Sequence, residues 1–256
     1  MANIESNQFD IRVDHQFNSK HVLFGRVTNS YNRRADRGDV YATRRHRFVN
    51  NFVYDLPFGK GRRYLTNSHR VADAVLGGWS MSSLIILQSG PFMTPTFSAG
   101  DPSGTNAPRR GTQRPDRLGA ANGTLDNPNR SLWVDRTAFV CPGRIAGAAN
   151  QYDCGSVGVA PGRDINPIGR FGNSGVGIVL GPGTFSWNTG VRKSFAITEK
   201  SRLQLEGTFT NVPNWTNLGD PIVNLIDNNF GRITGTRGSS DFGGNRTGQV
   251  SLRLEF

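Results

Sequence analysis

Phe185-Ser-Trp-Asn-Thr-Gly-Val-Arg-Lys-Ser-Phe-Ala-Ile197 is followed by Thr198-Glu-Lys200 and then by Arg202-Leu-Gln-Leu-Glu-Gly-Thr-Phe209. In the first segment Phe185, Trp187, Val191, Phe195 and Ile197 alternate with Ser186, Asn188, Gly190, Arg192 and Ser194. After a short turn, Leu203, Leu205 and Phe209 alternate with Arg202, Gln204, Glu206 and Thr208. An extended chain sends successive side chains to opposite faces, so this stretch reads as a hairpin with one apolar and one polar face.

The pattern repeats outward from there. Phe9, Ile11, Val13 and Phe17 alternate with Asp10, Arg12, Asp14 and Gln16, and Asn18-Ser-Lys20 reads as a tight turn. His21 to Asn29 is a second strand whose facing is ambiguous. Phe48, Phe52, Tyr54 and Leu56 form a third row, which Pro57 ends because it has no N–H for a ladder. Trp79, Met81, Ile85 and Leu87 form a fourth, and Val250, Leu252, Leu254 and Phe256 close the chain. That makes about seven strands, most near ten residues. Tilted bilayer-spanning strands need about 9–11 residues, with one face for lipid and one for water.

The connections sort by length. They run tight (18–20), long (30–45), intermediate (57–78), very long (90–183), tight (198–200) and long (213–245). Outer-membrane barrels put short turns on the periplasmic side and long loops outside. Counted back from a final strand ending at the periplasm, the three long loops fall outside and both tight turns inside. A soluble sheet with one wet face alternates equally well, but has no reason to obey that parity. The charges agree. Arg192, Arg202, Glu206, Arg253 and Glu255 fall on the polar set, and the exception, Lys193, lies near a turn, where its stem can snorkel to the interface. The fold expected is all-β, an antiparallel up-and-down transmembrane β-barrel segment that is incomplete as a barrel.

Composition supports this. The 256 residues include 32 Gly and 13 Pro, against usual levels of about 7% and 5%. That excludes a helical bundle, and 16 Phe, 5 Tyr and 4 Trp argue against full disorder. No stretch approaches the roughly 20 apolar residues of a membrane-spanning helix. Lys and Arg exceed Asp and Glu by 30 to 19, a net charge of +11. The clusters Arg33, Arg34, Arg37; Arg44, Arg45, Arg47; and Arg109, Arg110, Arg114, Arg117 read either as solvated loop charge or as contacts for a polyanion. No nucleic-acid motif accompanies them, and nucleic acid is not expected as a partner. Cys141 and Cys154 lie inside the 90–183 loop and are either bridged or two free thiols.

Enzyme signatures are missing. There is no His-Glu-x-x-His, Walker loop, Gly-x-Ser-x-Gly or paired Cys-x-x-Cys. Gly59-Lys-Gly61 resembles a phosphate loop only superficially, and Asp36, Asp39, Asp153 and Asp164 read as turn residues rather than metal ligands. His46 reads as a solvated loop residue. No enzyme activity, metal or cofactor is expected.

The last residues, Gly248-Gln-Val-Ser-Leu-Arg-Leu-Glu-Phe256, resemble the signal read by the outer-membrane insertion machinery, through Gln249, Leu252, Leu254 and Phe256, with Ser251 where Gly is usual. With Tyr54-Asp-Leu-Pro-Phe-Gly-Lys-Gly-Arg62, Gly77-Gly-Trp79, Gln88-Ser-Gly-Pro-Phe92, Arg114-Pro-Asp116, Trp133 to Phe139, Gly181-Pro-Gly183, Glu206 to Asn214 and Phe230-Gly-Arg-Ile233, the chain resembles the C-terminal barrel part of a TonB-dependent outer-membrane receptor. More narrowly it is similar to the Oar-like group, which carries a carboxypeptidase-regulatory-like domain. The stretch Asn211-Val-Pro-Asn214 departs from the aromatic-rich form usual there.

The resemblance implies that residues 1–256 are part of a barrel of about 22 strands with a plugged lumen. The plug, the TonB-contacting segment and the signal peptide are expected upstream of Met1, since Met1 to Asn7 is neither basic nor apolar enough for a signal. The implied role is ligand binding and import across the bacterial outer membrane. The implied partners are outer-membrane lipid, the barrel-assembly machinery and the TonB system, and a fragment of this kind is not expected to act alone. Arg33, Arg34, Arg37, Arg109 and Arg110 are the loop residues offered for an anionic ligand. The alternative is a secreted or surface-attached all-β protein that adheres to a polyanion or glycan through the 90–183 loop.

Overall fold

The computed structural model describes residues 4–18, 21–34, 38–39, 41, 43–67, 69–104, 113–119, 123–155, 169–198, 201–239 and 243–256. Seven long strands form one antiparallel sheet in strict chain order. They are β1 (Ile4–Asn18), β2 (His21–Arg34), β3 (His46–Asp55), β4 (Trp79–Gln88), β5 (Thr184–Ala196), β6 (Arg202–Thr210) and β7 (Thr247–Glu255). The two-residue piece Gly38–Asp39 folds back on β2. Among the described residues β1 pairs only with β2, and β7 only with β6, so the described sheet is an open barrel wall with two free edges. A free edge exposes unpaired backbone donors and acceptors.

Register shows how the faces line up. Ile11 stands opposite Val27, Val27 opposite Phe48, Phe48 opposite Leu87, and Leu87 opposite Phe185. Toward the other end, Val191 meets Gly207 and Gly207 meets Val250, while Phe195, Leu203 and Leu254 share a row. Residues directly opposite share a face, so the apolar rows of all seven strands lie on one side. No second sheet covers them among the described residues: Phe9 is 62% exposed and Leu252 65%. β2, ambiguous in sequence because Val22, Leu23, Phe24 and Val27 are all apolar, is settled by its partners. Leu23 pairs with Phe52 and Val27 with Phe48, leaving Val22 and Phe24 on the polar side. Val49, Val53, Leu84 and Ile86 also sit there, so the polar face is mixed over β2 to β4.

Aromatic residues mark both ends of the apolar face, as in barrel girdles. At one end Trp215 packs edge-on against Phe185, with centroids 6.1 Å apart. At the other, Lys193 lies beneath the rings of Trp79 and Phe195 and donates from Nζ to the Gly77 carbonyl at 2.5 Å. Lys193 is 3% exposed. Lys193 thus lies at the end of the strand near the turn, as expected, but its ammonium is covered rather than solvated. Its charge ends on a backbone oxygen under an aromatic lid.

The connections alternate between the two ends of the sheet. The 56–78 connection holds one element not expected from sequence, the short helix α1 (Arg70–Leu76), entered through His69, whose Nδ1 accepts from Val71 N. The 89–183 and 211–246 connections meet at the other end. Thr96 N donates to Val223 O and Leu225 N to Thr96 O. Trp133 N donates to Gly231 O, and Ile233 N to Arg130 O. The hydrophobic core of the molecule is in this cap. It comprises Met93, Phe97, Val134, Phe139, Val179, Leu225 and Phe230, with Phe139 and Leu225 fully buried. The described residues of the 90–183 stretch, read from sequence as irregular loop, thus form a packed body with short ladders, such as Phe92–Met93 on Val179–Leu180.

Candidate functional site: the loop cap and the polar concavity beneath it

The cap is locked by polar hooks, and many belong to the motif residues quoted above. Asp116 accepts both Arg170 Nη atoms at 2.7 Å and the Asn173 N–H at 3.0 Å. Asp116 is the direct cause of an Arg170 pKa raised above its ordinary value, against the opposing pull of burial. Arg114 donates to the Ser174 carbonyl at 2.6 Å. Asn217 bonds both the N–H and the carbonyl of Phe185 at 2.8 Å, occupying backbone groups that β6 does not reach. Asn211, at φ 47°, accepts from Trp215 N and donates to Trp215 O. Gly231 has φ +79°, and a Cβ there would overlap the Val134 carbonyl. Cys141 and Cys154 are joined in a disulfide, with Cα atoms 5.3 Å apart, and both are fully buried.

A second lock ties three connections together. Tyr41 donates to Asp220 Oδ2 at 2.6 Å, Arg237 donates to Asp220 Oδ1 at 2.6 Å, and Arg237 also reaches the Pro182 carbonyl. The bond to Asp220 raises the Tyr41 pKa, with burial adding to it. In the cap, burial chiefly raises the Tyr152 pKa, against the Arg136 guanidinium 4.1 Å from its ring centroid.

On the polar face of β1 to β3, beside Thr43 and Arg44, lies a concavity of about 440 Å³. Arg26, Arg44 and Arg47 line it with Thr28, Thr43 and Phe24, and no described lining residue is acidic. Register explains the cluster. Arg47 stands opposite Thr28, and Arg26 opposite Val49, so the two arginines are diagonal neighbours on one face. Asp10 holds Arg26 at 3.1 Å and also accepts from Thr28 and Gln8. Arg44 donates to Tyr41 O at 3.0 Å, connecting the concavity to the Tyr41–Asp220–Arg237 lock. Thr43 is 2% exposed, and its hydroxyl has no hydrogen-bond partner.

The residues expected from sequence fall as follows. Arg33 and Arg34 end β2, where their backbones pair with Asp39 and Gly38. Arg37, Arg109 and Arg110, like Asp36 and Asp164, lie outside the described residues. Gln249 is on the polar face of β7, Leu252 and Leu254 are on the apolar face, and Phe256 follows the strand's last residue. Asp153 is 3.7 Å from Arg144. The Lys60 N–H of Gly59-Lys-Gly61 is taken by Asp73 at 2.6 Å, a carboxylate where a phosphate loop would hold its anion. His46 lies 3.3 Å from the Asn29 amide. Among the described residues no group of three or more His, Cys, Asp and Glu is placed to hold a metal. Sequence reading missed Arg26 as a site residue because it sits in a strand of uncertain facing. Once Val27 is assigned to the apolar side, Arg26 must point the other way.

An antiparallel meander with one continuous apolar face, girdle aromatics at both ends and long loops gathered at one end defines the wall of an outer-membrane β-barrel. The chain belongs to the outer membrane beta barrel domain family, which it matches over residues 26–249. No curated protein and no solved structure matches it.

Proposed function

We propose that this outer-membrane β-barrel chain is wall and outer loops of a TonB-dependent receptor of the Oar-like group, which binds a ligand outside and imports it. The observation that carries this reading is the ordered cap. The motif residues that suggested the family, including Asp116, Asn211 and Gly231, form the hooks of a rigid body set over one end of the wall. A rigid platform over a barrel mouth suits ligand capture, because little ordering entropy is then lost on binding. Both free edges must be met by further strands in a bilayer, where unpaired backbone groups are prohibitive. In this reading those strands, with the plug and the TonB-contacting segment, complete the same receptor. The chain has no catalytic role or cofactor. Its partners are outer-membrane lipid, the barrel-assembly machinery, through Gln249, Leu252, Leu254 and Phe256, and the TonB system through the plug.

Reading the genomic DNA upstream of the Met1 codon tests the proposal. An in-frame plug and TonB-contacting segment is the expected result. A stop codon directly ahead of a verified start would overturn it.

A further inference from the structure

We infer that α1 is an interfacial anchor, a helix lying at the headgroup and acyl boundary of the bilayer, on the outside of the wall at its short-turn end, with Val71 and Val75 turned into lipid. Side chains four apart share a helix face, and here the outward face is apolar. Val71 is 66% exposed and Val75 60%, and Ala74 between them is exposed too. Asp73 faces the other way. Its carboxylate accepts the Lys60 N–H at 2.6 Å, and a Cβ at Gly59 or Gly77 would meet its oxygen. A surface helix in water shows the reverse, with its apolar stripe toward the protein and its polar residues outside. An apolar outer face suits a helix lying flat in a membrane interface.

Two side chains of the apolar face fix where the helix lies. Trp79 Nε1 donates to the Val75 carbonyl at 2.9 Å, and Lys193 Nζ donates to the Gly77 carbonyl. Trp79 and Lys193 stand opposite each other, on the side that carries Met81, Leu87, Phe185 and Val191. α1 is therefore tied to the lipid side of the wall and not to the lumenal side. Depth agrees. Lys193 comes two residues before Phe195, where the apolar row ends, and Gly77 lies two residues beyond Trp79. Gly77 is thus level with the row's end, roughly 12 Å from the midplane at the pitch and tilt of barrel strands. That is where hydrocarbon gives way to headgroups. The place in the sheet names the occupant. α1 leads into β4, the central strand of seven. Further strands join only at the edges, β1 and β7, and anything in the lumen lies on the opposite face, so lipid is what meets the outside of β4. Lys60 and Arg63, exposed in the same connection, suit the phosphates of that leaflet. The claim needs the barrel wall but not the receptor reading.

The test uses the full chain folded into vesicles of phosphatidylcholine and phosphatidylglycerol, with no other protein. Cys141 and Cys154 are joined to each other, so a cysteine introduced by Val71→Cys, Val75→Cys or Ile145→Cys alone takes a nitroxide label. Ile145 is 78% exposed in the cap and serves as the water-facing reference. Spin relaxation by oxygen, which concentrates in hydrocarbon, is compared with relaxation by a water-soluble nickel chelate. Labels at positions 71 and 75 should favour oxygen over nickel several-fold more than the label at 145. Nickel access at 71 and 75 equal to that at 145 overturns the inference. Exclusion of both agents also overturns it, since a second copy of the chain then covers the helix. A second measurement is urea unfolding in the same vesicles. Val71→Ser with Val75→Ser should lower the folded population by about tenfold, whereas Ile145→Ser should leave it unchanged. An unchanged population for the double variant overturns the inference, because valines that face water give up nothing on becoming polar. If the double variant does not fold, the labels at 71 and 75 still decide. None of these results bears on the upstream reading frame, so failure here and failure of the receptor reading are distinguishable.

Discussion

Moving one arginine across the sheet tests the facing of the wall at a single residue. On β5 the apolar row runs from Phe185 to Phe195, ten residue steps. At about 3.3 Å per residue that is roughly 33 Å along the strand. Tilted by about 40–45°, it covers roughly 24 Å of depth, close to the apolar band of about 25 Å found around barrels. Val191 lies one residue from the middle of this row, opposite Met81 and Gly207. Val191→Arg therefore places a guanidinium within about 3 Å of the midplane, at a cost of about 2–4 kcal/mol. That is a loss of roughly thirty- to several-hundredfold in the folded population. Ser194→Arg puts the same group on the polar face, beside native Arg192, where the cost should be about 0.5 kcal/mol or less. The assay is urea titration of the chain folded into lipid vesicles, followed by protease protection. Equal midpoints for the two variants, or a larger loss for Ser194→Arg, would refute the reasoning.

Other outcomes follow from the cap. Thiol labelling of the unfolded chain should fail at Cys141 and Cys154 without reductant, and Cys141→Ser with Cys154→Ser should lower cap stability by about 3 kcal/mol, as for a closed loop of this size. Gly231→Ala combines φ +79° with overlap on the Val134 carbonyl; it should cost about 2 kcal/mol or more and raise proteolysis within the cap. Asp116→Asn should loosen the Arg170 and Asn173 contacts by about 1–2 kcal/mol, since the pair is partly exposed. The Tyr41 phenol gives a pH dependence. Its pKa is raised in the folded chain, so the folded state holds this proton more tightly. The associated stability is fully present below the ordinary tyrosine value near 10 and is lost as pH rises above it. Tyr41→Phe should flatten that alkaline fall in the cap's melting profile.

The wall was legible in the sequence because each strand carries its own two-residue period, and the register needs only Phe48 or Leu87 to find apolar partners. The facing of β2 was not, since Val22, Leu23, Phe24 and Val27 satisfy either face until pairing decides. The cap escaped reading for a different reason. Phe97, Phe139, Leu225 and Phe230 are brought together by backbone bonds between distant loops, and no local period announces such a core. α1 is seven residues long and is capped by His69, an unusual cap, so neither length nor capping signalled it. The arginine clusters marked charge density along the chain. The concavity draws one arginine from β2, one from β3 and one from the connection between them.

The central claim is that the apolar rows meet acyl chains while their neighbours meet water. Tryptophan quenching in vesicles of acyl-brominated phosphatidylcholine tests it most directly, with Trp187 kept and Trp79, Trp133 and Trp215 replaced by Phe. The account predicts strong quenching of Trp187, and none when the tryptophan is moved to the polar-face position of Ser194. Quenching of both alike, or of the Ser194 position alone, would contradict it.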